Sequence, residues 1–349
     1  MKKRISGKTI FNIIVFAMCA GLLGYFFLAD DGLLAFLNNS PQLDIGWLCM
    51  AVACHLINMC IDAFLIYRFT SNICKYPLRN AIKSSMIGQF FSAVTPGASG
   101  GQPMQIYIMS KQGVDGGAAT SALIQKFLVY QTVLTGYSAF TILVRFDYFN
   151  NTLNKVMWSL AMFGFLTQAL VIFVLLLFSF NRKLTSKIIR FLFLLLGKIH
   201  ILKNAEERFA KLEIQLTHFH SSNKELYKNK KLVVETTVLT AIQLTAMFLV
   251  PYCVYRSFHL QGAGVIDMIC AQSFTTMVSS FMPLPGASGA AEGASLVFLS
   301  SFFDQNTLKS AVLISRLISY YFTILISAPF ARLTKSKVNQ LPEQSVEGG

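Results

Sequence analysis

The chain has 349 residues, of which 54% are hydrophobic and only 13% charged, and a formal net charge of +14. So apolar a composition excludes a soluble enzyme domain of ordinary build and predicts an all-α polytopic membrane protein. The basic excess would suggest nucleic acid on a soluble chain, but here it lies between apolar segments. Loops held beside anionic lipid account for it, and no nucleic-acid partner is expected.

The start, Met1-Lys2-Lys3-Arg4 before the apolar residues 10–28, looks like a secretory leader. It lacks a small-x-small cleavage site and predicts a retained first span. The next loop holds Asp30, Asp31 and Asp44 without Lys or Arg, which places it outside. A second span over 45–66 returns to a loop with Arg68, Lys75, Arg79 and Lys83 and no acid, so the N-terminus is predicted to be cytoplasmic. Residues 84–95 and 103–109 follow, separated by a Pro/Gly break, and neither reaches the roughly 20 residues that a spanning helix needs. They predict a re-entrant hairpin. Further spans are predicted over 118–144 and 156–180, joined by a loop carrying Arg145, Asp147 and Lys155.

Residues 181–231 then leave the membrane as a cytoplasmic insertion. Its first part carries six Lys/Arg (182, 183, 187, 190, 198, 203) and no acid around an apolar run, the mark of an amphipathic segment on the anionic inner leaflet. Phe209, Leu212, Leu216 and Phe219 continue as a helical stripe, and no metal is expected at the nearby His218 and His220. A span over 232–255, kinked at Pro251, leads to a second broken pair over 262–284 and 290–303. The last span, 308–330, ends at Arg332, Lys335 and Lys337, with a disordered cytoplasmic tail over 333–349. About six full spans result, with a range of six to eight set by whether 265–284 crosses, plus two broken re-entrant hairpins. The seven cysteines (19, 49, 54, 60, 74, 253, 270) have no metal spacing and read as small buried hydrophobes.

Both breaks carry the same string, Pro96-Gly97-Ala98-Ser99-Gly100 and Pro285-Gly286-Ala287-Ser288-Gly289. Proline and glycine interrupt a helix, and the backbone groups they free are tolerated at membrane depth only against protein or a water-filled cavity. Equivalent breaks in two halves of opposite orientation predict an inverted repeat suited to alternating access. Four ionisable residues fall inside apolar segments, where they are costly: Asp62, Lys126, Glu292 and Arg316. Asp62 shares a helical face with His55 and Asn58. Arg316 and Glu292 read either as a structural ion pair or as part of a substrate site in which Arg316 and Lys126 hold an anionic headgroup, with Glu292 as countercharge or cation site; Arg offers a two-pronged phosphate donor. Asp62 and Lys126, nearer the span ends, could also snorkel to the interface. The glycines Gly97, Gly100, Gly286 and Gly289 would let backbone approach a substrate, with Ser99 and Ser288 beside them. Gln102 joins His55, Asn58 and Asp62 as a second tier of polar groups. There is no catalytic triad, Walker loop or zinc spacing, and no cofactor or metal is expected.

The run Gly88-Gln89-Phe90-Phe91-Ser92-Ala93-Val94-Thr95-Pro96-Gly97-Ala98-Ser99-Gly100-Gly101-Gln102-Pro103, with Pro283-Leu284-Pro285-Gly286-Ala287-Ser288-Gly289-Ala290-Ala291-Glu292 and Arg316-Leu317-Ile318-Ser319-Tyr320-Tyr321, resembles the flippase-like transmembrane region of bacterial lysylphosphatidylglycerol synthetases/flippases. The resemblance covers residues 8–332. It implies a plasma-membrane lipid translocase for an anionic or aminoacylated phospholipid such as lysyl-phosphatidylglycerol, with Glu292 and Arg316 in its site. In that family a cytosolic domain makes the lipid from aminoacyl-tRNA; here it is missing, as in stand-alone members. A separate cytosolic aminoacyltransferase and a second copy of the chain are the other partners considered. The first motif departs from the pattern, because Gly101-Gln102 and Gln105 stand where relatives carry Gly-Glu and a nearby Arg, which implies a differently charged substrate. Two other readings stay open at this point: a membrane component of phosphatidylglycerol lysyltransferase, and an ion-coupled carrier of a small solute.

Overall fold

The computed structural model describes residues 43–152, 155–198, 213, 221, 228–279 and 290–331. Among these residues there are helices and no strands. The predicted first span over 10–28, the stripe at 209–219, the second Pro-Gly-Ala-Ser-Gly string and the tail lie outside the described residues.

Helix α1, Ile45–Ser71, begins where the Asp44 carboxylate accepts from the amides of Gly46 and Trp47, the usual way an N-cap satisfies orphan donors. Helices α2, Leu78–Val94, and α3, Gly101–Lys111, fold back on each other across a 3-10 turn at Pro96–Ala98. The first arm is thus longer than the predicted 84–95, because Pro77 starts the helix, placing Arg79 and Lys83 within it. Helix α4, Gly116–Thr152, extends into the predicted 145–155 loop and bends at Arg145 (φ −124°, ψ 23°). Helix α5, Lys155–Phe180, is followed by the basic α6, Arg182–Lys198. Helix α7, Lys230–Ser257, is capped by Asn229 and continues past Pro251. Helices α8, Val265–Ser279, and α9, Ala290–Leu299, pack together as the second pair. The last span, Thr307–Ala331, combines α10, Gln305–Arg316, a π turn at Leu317–Tyr321, α11, Phe322–Ser327, and a closing 3-10 turn.

Four helices among the described residues are long and apolar enough to cross a membrane: Ile45–Ser71, Gly116–Phe146, Lys230–Ser257 and Thr307–Ala331. The chain is a polytopic helical membrane protein. Its organising pair is α1 against α7. The amide of Asp44, before α1, donates to Ser257 at the end of α7, and Asn229, before α7, donates to Asn72 at the end of α1. The two helices are therefore antiparallel. The α2–α3 pair leaves from the Asn72 end and the α8–α9 pair from the Ser257 end, so the two hairpins enter the bundle from opposite ends. Ion pairs hold both ends: Arg68 grips Glu235 through two bonds of 2.7 and 2.5 Å, and Arg145 meets Asp267 at 2.7 Å.

The first break satisfies its own backbone. The Ala98 amide reaches the Thr95 carbonyl, the Ser99 amide and hydroxyl reach the Pro96 carbonyl, and Gly100 donates to the Thr95 hydroxyl. Gly97 turns left-handed (φ 57°), which a glycine does without penalty. Gly101 is needed for another reason: a Cβ there would come within 1.9 Å of Ser92 Oγ and 2.8 Å of the Gly88 carbonyl, so its absence lets the two arms cross closely. At the base of the hairpin, the Tyr76 hydroxyl joins Ser84 (2.8 Å) and Gln112 (2.5 Å), and burial pushes this phenol up to about 12.

Candidate substrate site

The end of α2 and the start of α9 converge on one turn of the last span. From the second, Glu292 in the first turn of α9 accepts from Arg316 Nε at 2.8 Å. The Arg316 guanidinium lies 4.7 Å over the Tyr320 ring, a cation–π arrangement. The Tyr320 hydroxyl in turn donates at 2.9 Å to the carbonyl of Ala93, two residues before Thr95 and the first break. Tyr320 sits near the middle of the last span, so the end of α2 and the start of α9 both lie level with mid-span. The π turn begins immediately after Arg316; such turns widen a helix locally and are frequent at functional sites.

Pro96, Gly97, Ala98 and Ser99 are all exposed, although Ala93, just before them, is level with mid-span. Polar backbone exposed at that depth needs water or protein against it. The Glu292 side chain keeps 26% of its surface, twice the 13% of Arg316, and a Cβ at the neighbouring Gly293 would meet nothing within 4 Å. The acid therefore borders open space.

Lys126 belongs elsewhere. Its ammonium pairs with Asp62 Oδ1, and Asp62 Oδ2 accepts from Ser85 (2.5 Å) and Gln89 (3.4 Å). With side chains only 14% and 16% exposed, neither residue snorkels. Asn58 lies half-buried on the same face of α1, and His55, further along, reaches Thr323 of the last span. Gln102 is exposed beside the first break, while Gln105 is buried between the arms, where a Cβ on Gly88 would strike it. Gly100 packs against Thr95, and the Ser99 hydroxyl is spent on its own turn. Gly286, Ser288 and Gly289 lie outside the described residues.

Sequence reasoning did not single out Tyr320, Ser85 or Gln89 as site residues, nor the pairs Arg68–Glu235 and Arg145–Asp267. Tyr320 follows Arg316 by one helical turn, a spacing that brings a ring and a guanidinium together. The two end pairs join residues far apart in sequence and leave no local signal.

The pattern of the family described as Lysylphosphatidylglycerol synthase TM region matches residues 10–327. A UPF0104 membrane protein of Archaeoglobus fulgidus is 24% identical over 295 residues, which cover 81% of this chain and 85% of that protein.

Proposed function

Since the chain belongs to the lysylphosphatidylglycerol synthase TM region family, we propose that it is a lipid translocase moving an anionic or aminoacylated phospholipid, such as lysyl-phosphatidylglycerol, between the leaflets of the plasma membrane. The observation that carries this reading is the convergence of two oppositely entering hairpins on Arg316, with exposed backbone at mid-span on one side and Glu292 beside open space on the other. Broken helices meeting near the midplane are how repeat-built transporters expose a central site alternately to either side. In this reading Arg316 binds the headgroup phosphate through its planar fork. Glu292 holds Arg316 until phosphate displaces it, and then faces any cationic aminoacyl group. The acyl chains stay in lipid throughout. Both termini are assigned to the cytoplasm, where a separate aminoacyltransferase would deliver the substrate.

Reconstitution tests it directly. Liposomes with fluorescent phospholipids of different headgroup charge are treated with dithionite, which bleaches only the exposed leaflet. Wild type is expected to move the anionic or aminoacylated lipid in preference to a zwitterionic one, and Glu292→Gln to slow that movement. Folded protein that moves none of them rules the translocase out.

A further inference from the structure

Resting on the translocase reading, we propose that His55 is a proton-binding site that couples headgroup movement to a proton gradient. His55 lies in α1 and is only 4% exposed. Its Nε2 is 2.8 Å from Thr323 Oγ1, and its ring meets Phe322 edge-on with centroids 6.2 Å apart. The hydroxyl of Thr323 has one proton, which it donates to the Ser319 carbonyl at 2.9 Å. The histidine bond must then run the other way. Nε2 carries the hydrogen and donates, while Nδ1 keeps a bare lone pair, a tautomer assigned from the bonding network. That Nδ1 is buried and has no hydrogen-bond partner among the described residues.

A buried acceptor without a donor is costly, and one that persists calls for an explanation such as a ligand taken up in another state. The surroundings favour a very small one. Ala51 and Cys54 on the same helix, and Ile318 one turn before Phe322 on the last span, belong to the buried apolar core. A proton fits where a headgroup does not, and imidazole is the side chain that takes one up near neutral pH when hydrated; burial opposes the charged form, so uptake belongs to the state that admits water to the ring.

Thr323 is two turns past Arg316 on the last span, about 10 Å along the axis. A proton on Nδ1 makes the ring cationic at roughly that distance from the headgroup site. At an effective dielectric near 20, this strengthens binding of a single negative charge by about tenfold. By reciprocity, the bound anion strengthens proton binding equally. One proton and one singly anionic headgroup then cross together without net charge. The step is a bare proton transfer: water on one side gives a proton to the Nδ1 lone pair, and the imidazolium, with N–H at both nitrogens, returns it to water on the other.

Among the described residues, the ionisable groups of α1 and of the elements packed against it include Cys54 and Asp62 of α1, Cys253 of α7, Lys126 of α4, and Arg316, Tyr320 and Tyr321 of the last span, with Glu292 of α9 paired to Arg316. α2 contributes the uncharged Ser85 and Gln89. Asp62 is held by Lys126, Ser85 and Gln89, and Glu292 by Arg316. Neither acid can take over the proton without breaking an ion pair.

The test uses full-length protein in liposomes containing fluorescent phosphatidylglycerol, read by dithionite with and without an imposed pH gradient. Wild type is expected to move lipid several-fold faster with the gradient in one direction. In His55→Gln the ratio of the two rates should fall to one, whatever its basal rate. Thr323→Val keeps the imidazole but frees its tautomer, and should shift the pH midpoint of the gradient response. A response that survives His55→Gln, or wild type that moves lipid indifferently to the gradient, overturns the proton site and leaves the translocase standing. If His55→Gln does not fold, an unchanged midpoint in Thr323→Val overturns it instead. Wild type that moves no lipid under either condition overturns both readings.

Discussion

The two interior ion pairs share one chemistry and differ in what surrounds them. Asp62 has both oxygens engaged, by Lys126 on one side and by Ser85 and Gln89 on the other, and so ties α1, α2 and α4 together. Glu292 meets Arg316 where a π turn begins, an aromatic ring lies under the guanidinium, and the next residue borders open space. The first pair is a lock. In the proposed translocase the second would exchange partners, since a phosphate offers Arg316 what the carboxylate offers. Burial of a charge therefore does not identify a site by itself; what matters is whether its partner can be replaced without leaving other groups unpaired.

The sharpest way to break this comparison is to remove one member of the lock. Lys126→Met leaves the Asp62 carboxylate buried and uncompensated, and should destabilise the protein by about 3–5 kcal/mol. Much of that should return in the double variant Asp62→Asn/Lys126→Met, as read by thermal unfolding in detergent. Arg316→Lys belongs to the other class: a loss of lipid translocation of roughly tenfold is expected, because a point charge replaces a planar fork, with the unfolding temperature little changed. Should Arg316→Lys unfold as readily as Lys126→Met, the two pairs are alike and the distinction fails.

Smaller effects sharpen the picture. Tyr320→Phe keeps the ring under Arg316 but deletes the hydrogen bond to Ala93, which joins the last span to the first hairpin beside their apolar packing. Interhelical bonds in membranes average about 0.6 kcal/mol, so a modest fall in stability with a larger fall in translocation is expected. Tyr76→Phe should cost about 1 kcal/mol and carries a pH signature. The buried phenol holds its proton up to about 12, whereas an unfolded one loses it near 10. Its stabilisation is complete below pH of about 10 and lost as pH rises toward 12. The gap between wild type and Tyr76→Phe should narrow over that window in thermal melts.

Much of the fold was legible because its signals are local. Apolar length located α1, α4, α7 and the last span, Pro96 with Gly97 located the first break, and Glu292 with Arg316 emerged as charges inside apolar runs. Boundaries were less legible. Nothing in residues 78–83 distinguishes a helix from a basic loop until Pro77 is seen to start one, and Arg145 looked like a loop residue because its bend falls inside a continuing helix. Lys126 was assigned to the substrate because its charge was visible and its pairing with Asp62, 64 residues earlier, was not. Pairings across the bundle are set by packing, which no local pattern encodes.

The antiparallel clasp of α1 and α7 also dictates how the protein must be made. Arg68 and its partner Glu235 are 167 residues apart, an interval that a ribosome covers in roughly 10–30 s at ordinary elongation rates. Until α7 emerges, a helix already released into the bilayer carries an arginine without its acid, beside a hairpin whose receiving span does not yet exist. The clasp between the two halves of the chain therefore closes only when synthesis of the second half is well advanced.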